Sequence, residues 1–181
     1  SHHTAVASTL GVYETFVPER AHLDSAAMEM LSPAVRAEVQ ANNAGLAQSG
    51  FTVPVRLLKK MMEWERAFVR AGGLLGAGCD PWGTGLLPGF GDLRNYELLI
   101  EAGFSAEEAV RIMTLNGARI LGKDKEIGSI AAGKTADLVV IRGNPVRTPR
   151  DIYNVVTVFK AGVGYDSMKL RDAAKGLVGV K

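Results

Sequence analysis

Residues 4–10, TAVASTL, alternate small or polar with apolar side chains and predict a first β-strand. Ser32 and Pro33 supply an N-cap and a first helical residue, and Gly45 a stop, for a helix over residues 33–44. A longer helix is predicted from Thr52. In it Leu57, Met61, Trp64 and Phe68 recur at three to four residues, with Lys59, Lys60, Glu63 and Arg66 between them, and Gly72 and Gly73 end it. Residues 74–79 then read as a short, wholly apolar strand of the kind buried on both faces of a parallel sheet. Asp92 is placed to cap a helix carrying Leu93, Tyr96, Leu99 and Ile100, closed at Gly103. Ser105 and Glu108 form a capping box for a further helix over residues 106–121, ending at Gly122.

The texture changes after that helix. From Ile127 short β-rich runs alternate with glycine turns and no long helical period intervenes, and a weak helix follows over residues 167–174. These features place a boundary near residue 123, between a helix-rich α/β part and a small β part. Composition refines the picture: 47% hydrophobic and 22% charged residues in 181 are those of a globular protein. Uncharged stretches are broken by glycine and proline and fall short of the ~20 apolar residues a membrane span needs. A net charge of +2, with Lys and Arg scattered, asks for neither nucleic acid nor an anionic membrane. One cysteine, Cys79, excludes an internal disulfide and suits a reducing, cytoplasmic setting. No signal peptide is legible at the start.

Candidate chemistry centres on GGLLGAGCDPWGTGLLPGFGD, residues 72–92. Asp80 closes the apolar run and precedes Pro81 and a loop rich in glycine. By residue type and spacing it is either a turn residue bonding its own backbone or a carboxylate held at a strand end for chemistry. Trp82, Leu86, Leu87 and Phe90 in the loop either line a substrate pocket or pack the loop down. Cys79 has no histidine near it in sequence and reads as buried filler rather than a nucleophile. GFGDLR lacks the third glycine of a dinucleotide fingerprint and does not follow a strand.

Four stretches in order resemble the C-terminal part of the amidohydrolase superfamily of metal-dependent hydrolases: GAGCDPWG, YELLIEAGFSAEEAVRIMTLNGARILG, EIGSIAAGKTADLVVIRGNP and VVTVFKAG. The similarity is to the branch with imidazolonepropionase-like enzymes and metal-dependent dipeptidases, and it covers most of the chain. It implies an α/β fold: the C-terminal part of a TIM (β/α)8 barrel, with its last two strands and helices, over residues 1–122, and part of a small β-sandwich over residues 123–181. Residues 8–10 would belong to the seventh strand and residues 74–80 to the eighth. Gly133, Lys134, Thr135, Ala136 and Asp137 would form the turn into the sandwich, with Asp137 structural.

The resemblance also implies roles. Asp80 stands where the family places an aspartate that ligates the metal and takes the proton of its bound water, so it is the implied catalytic and metal residue. Trp82, Leu86 and Phe90, apolar residues of the loop after Asp80, are the candidate substrate-binding residues by their own character rather than by the resemblance. The implied cofactor is a divalent metal, zinc, and the implied substrate a small-molecule amide or peptide-like compound cleaved at a C–N bond. A divalent ion lowers the pKa of bound water from about 15.7 towards 7, and a carboxylate can pass the released proton to the leaving amine. No Arg or Lys lies between Asp80 and Arg94, which suits a neutral or hydrophobic acyl group.

The chain also departs from the family, which holds its metal with a His-x-His pair, two further histidines and often a carboxylated lysine or a glutamate. The three histidines here are His2, His3 and His22, with no His-x-His, and His22 reads as solvated. A complete barrel takes about 250 residues, so the chain reads as a C-terminal fragment of a larger enzyme. Two function classes remain: a metal-dependent hydrolase represented by this part, or a non-catalytic folded fragment or interaction module without a complete metal site. A cysteine enzyme using Cys79 is a third, which alkylation would test. Strands that have lost their neighbours predict self-association.

Overall fold

The computed structural model describes residues 4–21, 23–48, 50–81 and 85–179. Two parallel strands, β1 (Ala5–Ser8) and β2 (Leu74–Ala77), pair in register from Ala5 opposite Leu74 to Ser8 opposite Ala77. The Gly78 N–H donates to the Ser8 carbonyl at 3.0 Å and carries the ladder one residue further. Between the strands run α1 (Leu10–Thr15), α2 (Ser25–Met30), α3 (Pro33–Gly45) and α4 (Val55–Arg70). After β2 come α5 (Phe90–Glu101), α6 (Ala106–Arg111), a π-helical turn (Ile112–Asn116) and α7 (Gly117–Ile120). An antiparallel sheet follows, of β3 (Leu138–Ile141), β4 (Val155–Lys160) and β5 (Val163–Asp166) in that order, then α8 (Ser167–Ala174).

The main core lies where the strand pair meets its helices. Leu10, Leu58, Leu75, Tyr96, Leu98 and Leu99 are all within 1% of complete burial, each contributing about 1.5–3 kcal/mol of transfer free energy. Ile152 and the partly buried Ile141 and Tyr153 pack into the same cluster, so residues from the β part share the core of the α/β part. A smaller cluster of Ala27, Met28, Leu31 and Val39 joins α2 to α3 and takes Leu87 from the loop after β2 and Phe90 from the start of α5.

Local signals hold at several places. Ser105 Oγ accepts from the Glu108 N–H at 3.2 Å and the Glu108 carboxylate accepts from the Ser105 N–H at 2.7 Å, which completes the capping box. Ser32 accepts from Val35 N–H with Pro33 at the first helical position. Asp137 accepts from the Ala161 N–H at 2.7 Å and from Lys160 at 2.6 Å, a structural use at the entry to β3.

Other boundaries differ from the sequence expectation. The strand expected over residues 4–10 ends at Ser8, because Leu10 is fully buried as the first residue of α1 and the Gly11 N–H is held by Asn95. The long helix starts at Val55 rather than Thr52, because Pro54 holds the N-cap and Val53 before it bonds the Phe16 carbonyl instead. Asp92 is the third residue of α5, not its cap: Gly89, at φ 84°, turns the chain in, and Asp92 Oδ2 accepts the Gly89 N–H at 2.9 Å. The expected helix over residues 106–121 is interrupted by the π-helical turn, from which Asn116 Nδ2 donates to the Leu75 carbonyl at 2.8 Å. The apolar stripe of α4 also turns out differently. Leu58, Met62 and Glu65 are the buried residues, while Leu57 and Trp64 are 49% and 54% exposed.

Candidate functional site

β1 and β2 run parallel and end at the same side of the pair, where chemistry on such sheets is placed. The apolar run expected as a strand over residues 74–79 stops pairing at Ala77, and Asp80 is therefore not the last residue of a strand but lies three residues beyond it. There the chain turns sharply. Asp80 has φ 48°, in the left-handed region that aspartate tolerates better than most residues, and the turn sets its side chain in the open. Cys79 is 7% exposed, and burial, then the Asp92 and Asp80 carboxylates, push its thiol up to about 11. It is a protonated packing residue at neutral pH.

The start of α5 packs directly on this turn. A Cβ at Gly91 would stand 2.6 Å from Cys79 Sγ and 2.8 Å from Leu86 Cγ, so glycine is what lets the helix approach. Leu86 thereby wedges between Gly91 of α5 and Gly11 of α1. Phe90 leans on the α2–α3 cluster, with the Arg171 guanidinium 5.5 Å from its ring centre. The structure brings Leu86 and Phe90 to the wall of one cavity of about 40 Å³, which also meets Glu14, Arg94 and Tyr153. Such a volume holds a water or two. Asp80 is not in that wall, and Trp82 lies outside the described residues.

Behind the cavity is a charged network the sequence does not announce. Glu14, 4% exposed, accepts from Arg94 Nε at 2.7 Å and Nη2 at 2.8 Å, and from Arg20 Nε at 2.8 Å. Arg20 also forks onto Glu101 with two 2.6 Å bonds, and Arg94 reaches Glu97 at 2.8 Å. Burial works to raise the Glu14 carboxyl, but the bonds and charges of Arg94 and then Arg20 hold it below the usual carboxylate range. The network clamps α1 to α5. Asn95, 1% exposed, adds a second clamp: Nδ2 donates to the Ser8 carbonyl and Oδ1 accepts the Gly11 N–H, each at 3.2 Å.

Glu65 is a second buried carboxylate, 6% exposed, and it accepts from Ser8 Oγ at 3.0 Å. Burial, against that one hydrogen bond, pushes it up to about 7. Arg94–Glu97 is a local pair readable from spacing three apart, whereas Glu14–Arg94 and Ser8–Glu65 join residues 80 and 57 apart in sequence and leave no local signal.

The described residues do not fit a metal site. None of their His, Cys, Asp and Glu side chains come together in threes to hold an ion, and His2, His3 and His22 lie outside the described set. Among the described residues no helix is long and apolar enough to cross a membrane.

Comparison with known proteins bears on this arrangement. Residues 89–164 match the family model of the amidohydrolase family. An imidazolonepropionase of Clostridium tetani is 35% identical over 89 residues, 46% of this chain and 20% of that protein. A 5-methylthioadenosine/S-adenosylhomocysteine deaminase of Moorella thermoacetica is 47% identical over 49 residues, 26% of this chain and 11% of that one. The solved structure of a bottromycin amidohydrolase shares the fold with a TM-score of 0.64 at 20% identity, over 94% of this chain and 40% of that chain. The match thus spans a fifth or less of the length of these two curated relatives. The sequence similarity to the amidohydrolase family begins just after the Asp80 loop and runs over residues 89–164, while the fold likeness extends over nearly the whole chain.

Proposed function

We propose that this chain supplies the last two strands of a (β/α)8-barrel hydrolase, with the helices and part of the small β-sandwich that follow, and that the whole enzyme hydrolyses C–N bonds of small amide or peptide-like molecules. The observation that carries the reading is Asp80: an exposed carboxylate just past the C-terminal ends of two parallel strands, nine residues ahead of the amidohydrolase-matching segment. The relatives named imidazolonepropionase and deaminase point to the same class of bond.

In this reading Asp80 is a general base. Its open left-handed turn presents the carboxylate to solvent, where it takes a proton from an attacking water and returns it to the leaving amine. Asn95 and the Glu14–Arg94–Arg20 network fix α1 and α5 beneath it, and Cys79, packed on Gly91, anchors the residue before it. Leu86 and Phe90, on the loop and helix that follow Asp80, are the proposed apolar substrate contacts, and Trp82, also proposed from its place in that loop, lies outside the described residues. The family generally uses divalent metals, and zinc is the ion expected of the whole enzyme. One carboxylate does not hold a catalytic ion, which usually takes about three protein ligands, so the remaining ligands come from outside the described residues.

The lack of a ligand cluster among the described residues favours a second reading, a non-catalytic module that keeps the scaffold. Ring opening of cyclic amides, ammonia release from aminopurines and amino-acid release from dipeptides, assayed on a protein supplying the rest of the barrel with and without a chelator, separate the two. Chelator-sensitive turnover supports the hydrolase. A folded protein inert to all three classes at full metal load supports the module.

A further inference from the structure

We propose that the stretch following α8, residues 175–179, is a strap that holds α2 and α3 down on the loop after Asp80, so that the small β part governs how closed that loop is. α8 is anchored in the β part. Ser167 Oγ donates to the Val155 carbonyl of β4, and Asp166 caps the helix by accepting from the Met168 and Lys169 N–H groups at 2.9 and 3.1 Å. The chain then crosses to the turn between α2 and α3 and pairs there like a short strand. The Gly176 N–H donates to the Glu29 carbonyl at 3.0 Å and the Val178 N–H to the Met30 carbonyl at 2.9 Å, while the Ser32 N–H donates back to the Val178 carbonyl at 2.9 Å. Leu31 and Val178 thereby form a parallel bridge.

Those bonds decide where the helix pair sits. α3 runs for 13 residues yet buries only Val39, and an element so sparsely packed belongs to the low end of local stability. The Lys175 ammonium lies 3.5 Å from the Glu29 carboxylate, but both groups are half exposed and the pair adds little. Gly179 lets the strap lie close to α3, since a Cβ there would stand 2.6 Å from Val35 Cγ2. Apolar contact has no preferred direction, so the backbone bonds fix the position of α2 and α3.

The pair in turn bears on the loop. A Cβ at Gly85 would stand 2.8 Å from both Leu23 Cδ2 and Val39 Cγ1, and Leu87 and Phe90 pack against the cluster that holds Met28, Leu31 and Val39. α8 also reaches the end of the loop directly, through the Arg171 guanidinium over the Phe90 ring. Leu86, between Gly91 and Gly11, covers the buried Cys79 together with the first turn of α5. Displacing α2 and α3 therefore loosens the loop and uncovers the Cys79 thiol. All of these contacts lie within this chain, and none depends on the chemistry proposed for Asp80; if Leu86 and Phe90 contact substrate, the strap is what positions them.

Iodoacetamide labelling of Cys79 in the 181-residue chain, measured against urea below the unfolding transition, tests this, with circular dichroism to confirm that each variant is folded. A local opening depends weakly on urea and global unfolding steeply, so the slope tells the two routes apart. Val178→Pro, at a position 39% exposed, removes the N–H given to Met30 and keeps the carbonyl that Ser32 uses. It should speed labelling about tenfold by the shallow route, the scale of one lost backbone bond. A chain ended at Lys175 loses the bonds of Gly176, Val178 and Ser32 together and should label faster still. Val178→Ala keeps both backbone groups and should label like the wild type. Labelling unchanged in both Val178→Pro and the shortened chain would overturn the proposal, as would a rise that follows only the steep route or one matched by Val178→Ala. A wild-type Cys79 that already reacts at its rate in unfolding urea would show that nothing holds the loop, and would overturn it as well.

Discussion

Replacing Glu14 with alanine should cost this protein about 3 kcal/mol. The side chain is 5% exposed and is held by both guanidiniums, Arg94 through Nε and Nη2 and Arg20 through Nε, with Arg20 Nη2 a further 2.7 Å contact. Bonds to charged groups are worth roughly 1.5–3 kcal/mol each, but the carboxylate gives up most of its hydration, and breaking a buried pair costs about 3–5 kcal/mol in all. The low end applies, because both guanidiniums keep a partner: Arg20 retains Glu101 and Arg94 retains Glu97. For a chain of this length each kcal/mol moves the melting temperature by about 2–4 °C, so thermal unfolding followed by circular dichroism should show a fall of about 6–12 °C at neutral pH. The pH dependence has a fixed sign. Glu14 is held below its ordinary 4.5 in the folded state, so its contribution is present above that value and is lost as pH falls through the folded pKa. The gap between variant and wild type should therefore close in acid. A melting temperature unchanged within about 2 °C at neutral pH, or a gap that widens in acid, would refute the assignment of the network as the clamp between α1 and α5.

Glu65→Gln should stabilise the fold above neutral pH. Burial raises the folded carboxyl from 4.5 to about 7, so its stability contribution is full below 4.5 and is lost as pH rises through 7. The variant should melt higher than wild type at pH 8, by an amount on the order of 2 kcal/mol, and match it near pH 4; an equal effect at both would count against the burial reading. Asn95→Ala leaves the Gly11 N–H without its acceptor and should cost about 2–3 kcal/mol in urea unfolding; a loss under about 0.5 kcal/mol would show that water replaces it. Cys79 should react with iodoacetamide far more slowly in the folded chain than in urea, since its thiol is buried and held near 11; equal rates would show that the turn before Asp80 opens freely.

The parts of this fold legible in the sequence were those whose cause is local. Ser105 and Glu108, three residues apart, bond each other's backbone, and α8 occupies the residues its pattern indicates, 167–174. The helices α1 and α2, six residues each, are too short for a period to show. The α4 error has a different cause. The helix carries two apolar rows, and periodicity chooses the one with Trp64 and Phe68, whereas β1 and β2 cover the one with Leu58 and Met62. A charged residue, Glu65, sits in the buried row because Ser8, distant in sequence, donates to it. At the candidate site the position of Asp80 beyond an apolar run was legible. The left-handed turn that carries it past the strand end was not, since Gly78, Cys79 and Pro81 are each compatible with either course.

The central claim is that Asp80 handles the proton in C–N bond hydrolysis, and Asp80→Asn in the intact enzyme tests it most directly. Asparagine keeps the size and one oxygen and is itself at home in turns, so folding should survive. With metal content matched to wild type, the account predicts a fall in kcat of about 10²–10⁴-fold, the range general acid–base catalysis supplies. Turnover within a few-fold of wild type at equal metal content would contradict it and return Asp80 to the role of a turn residue.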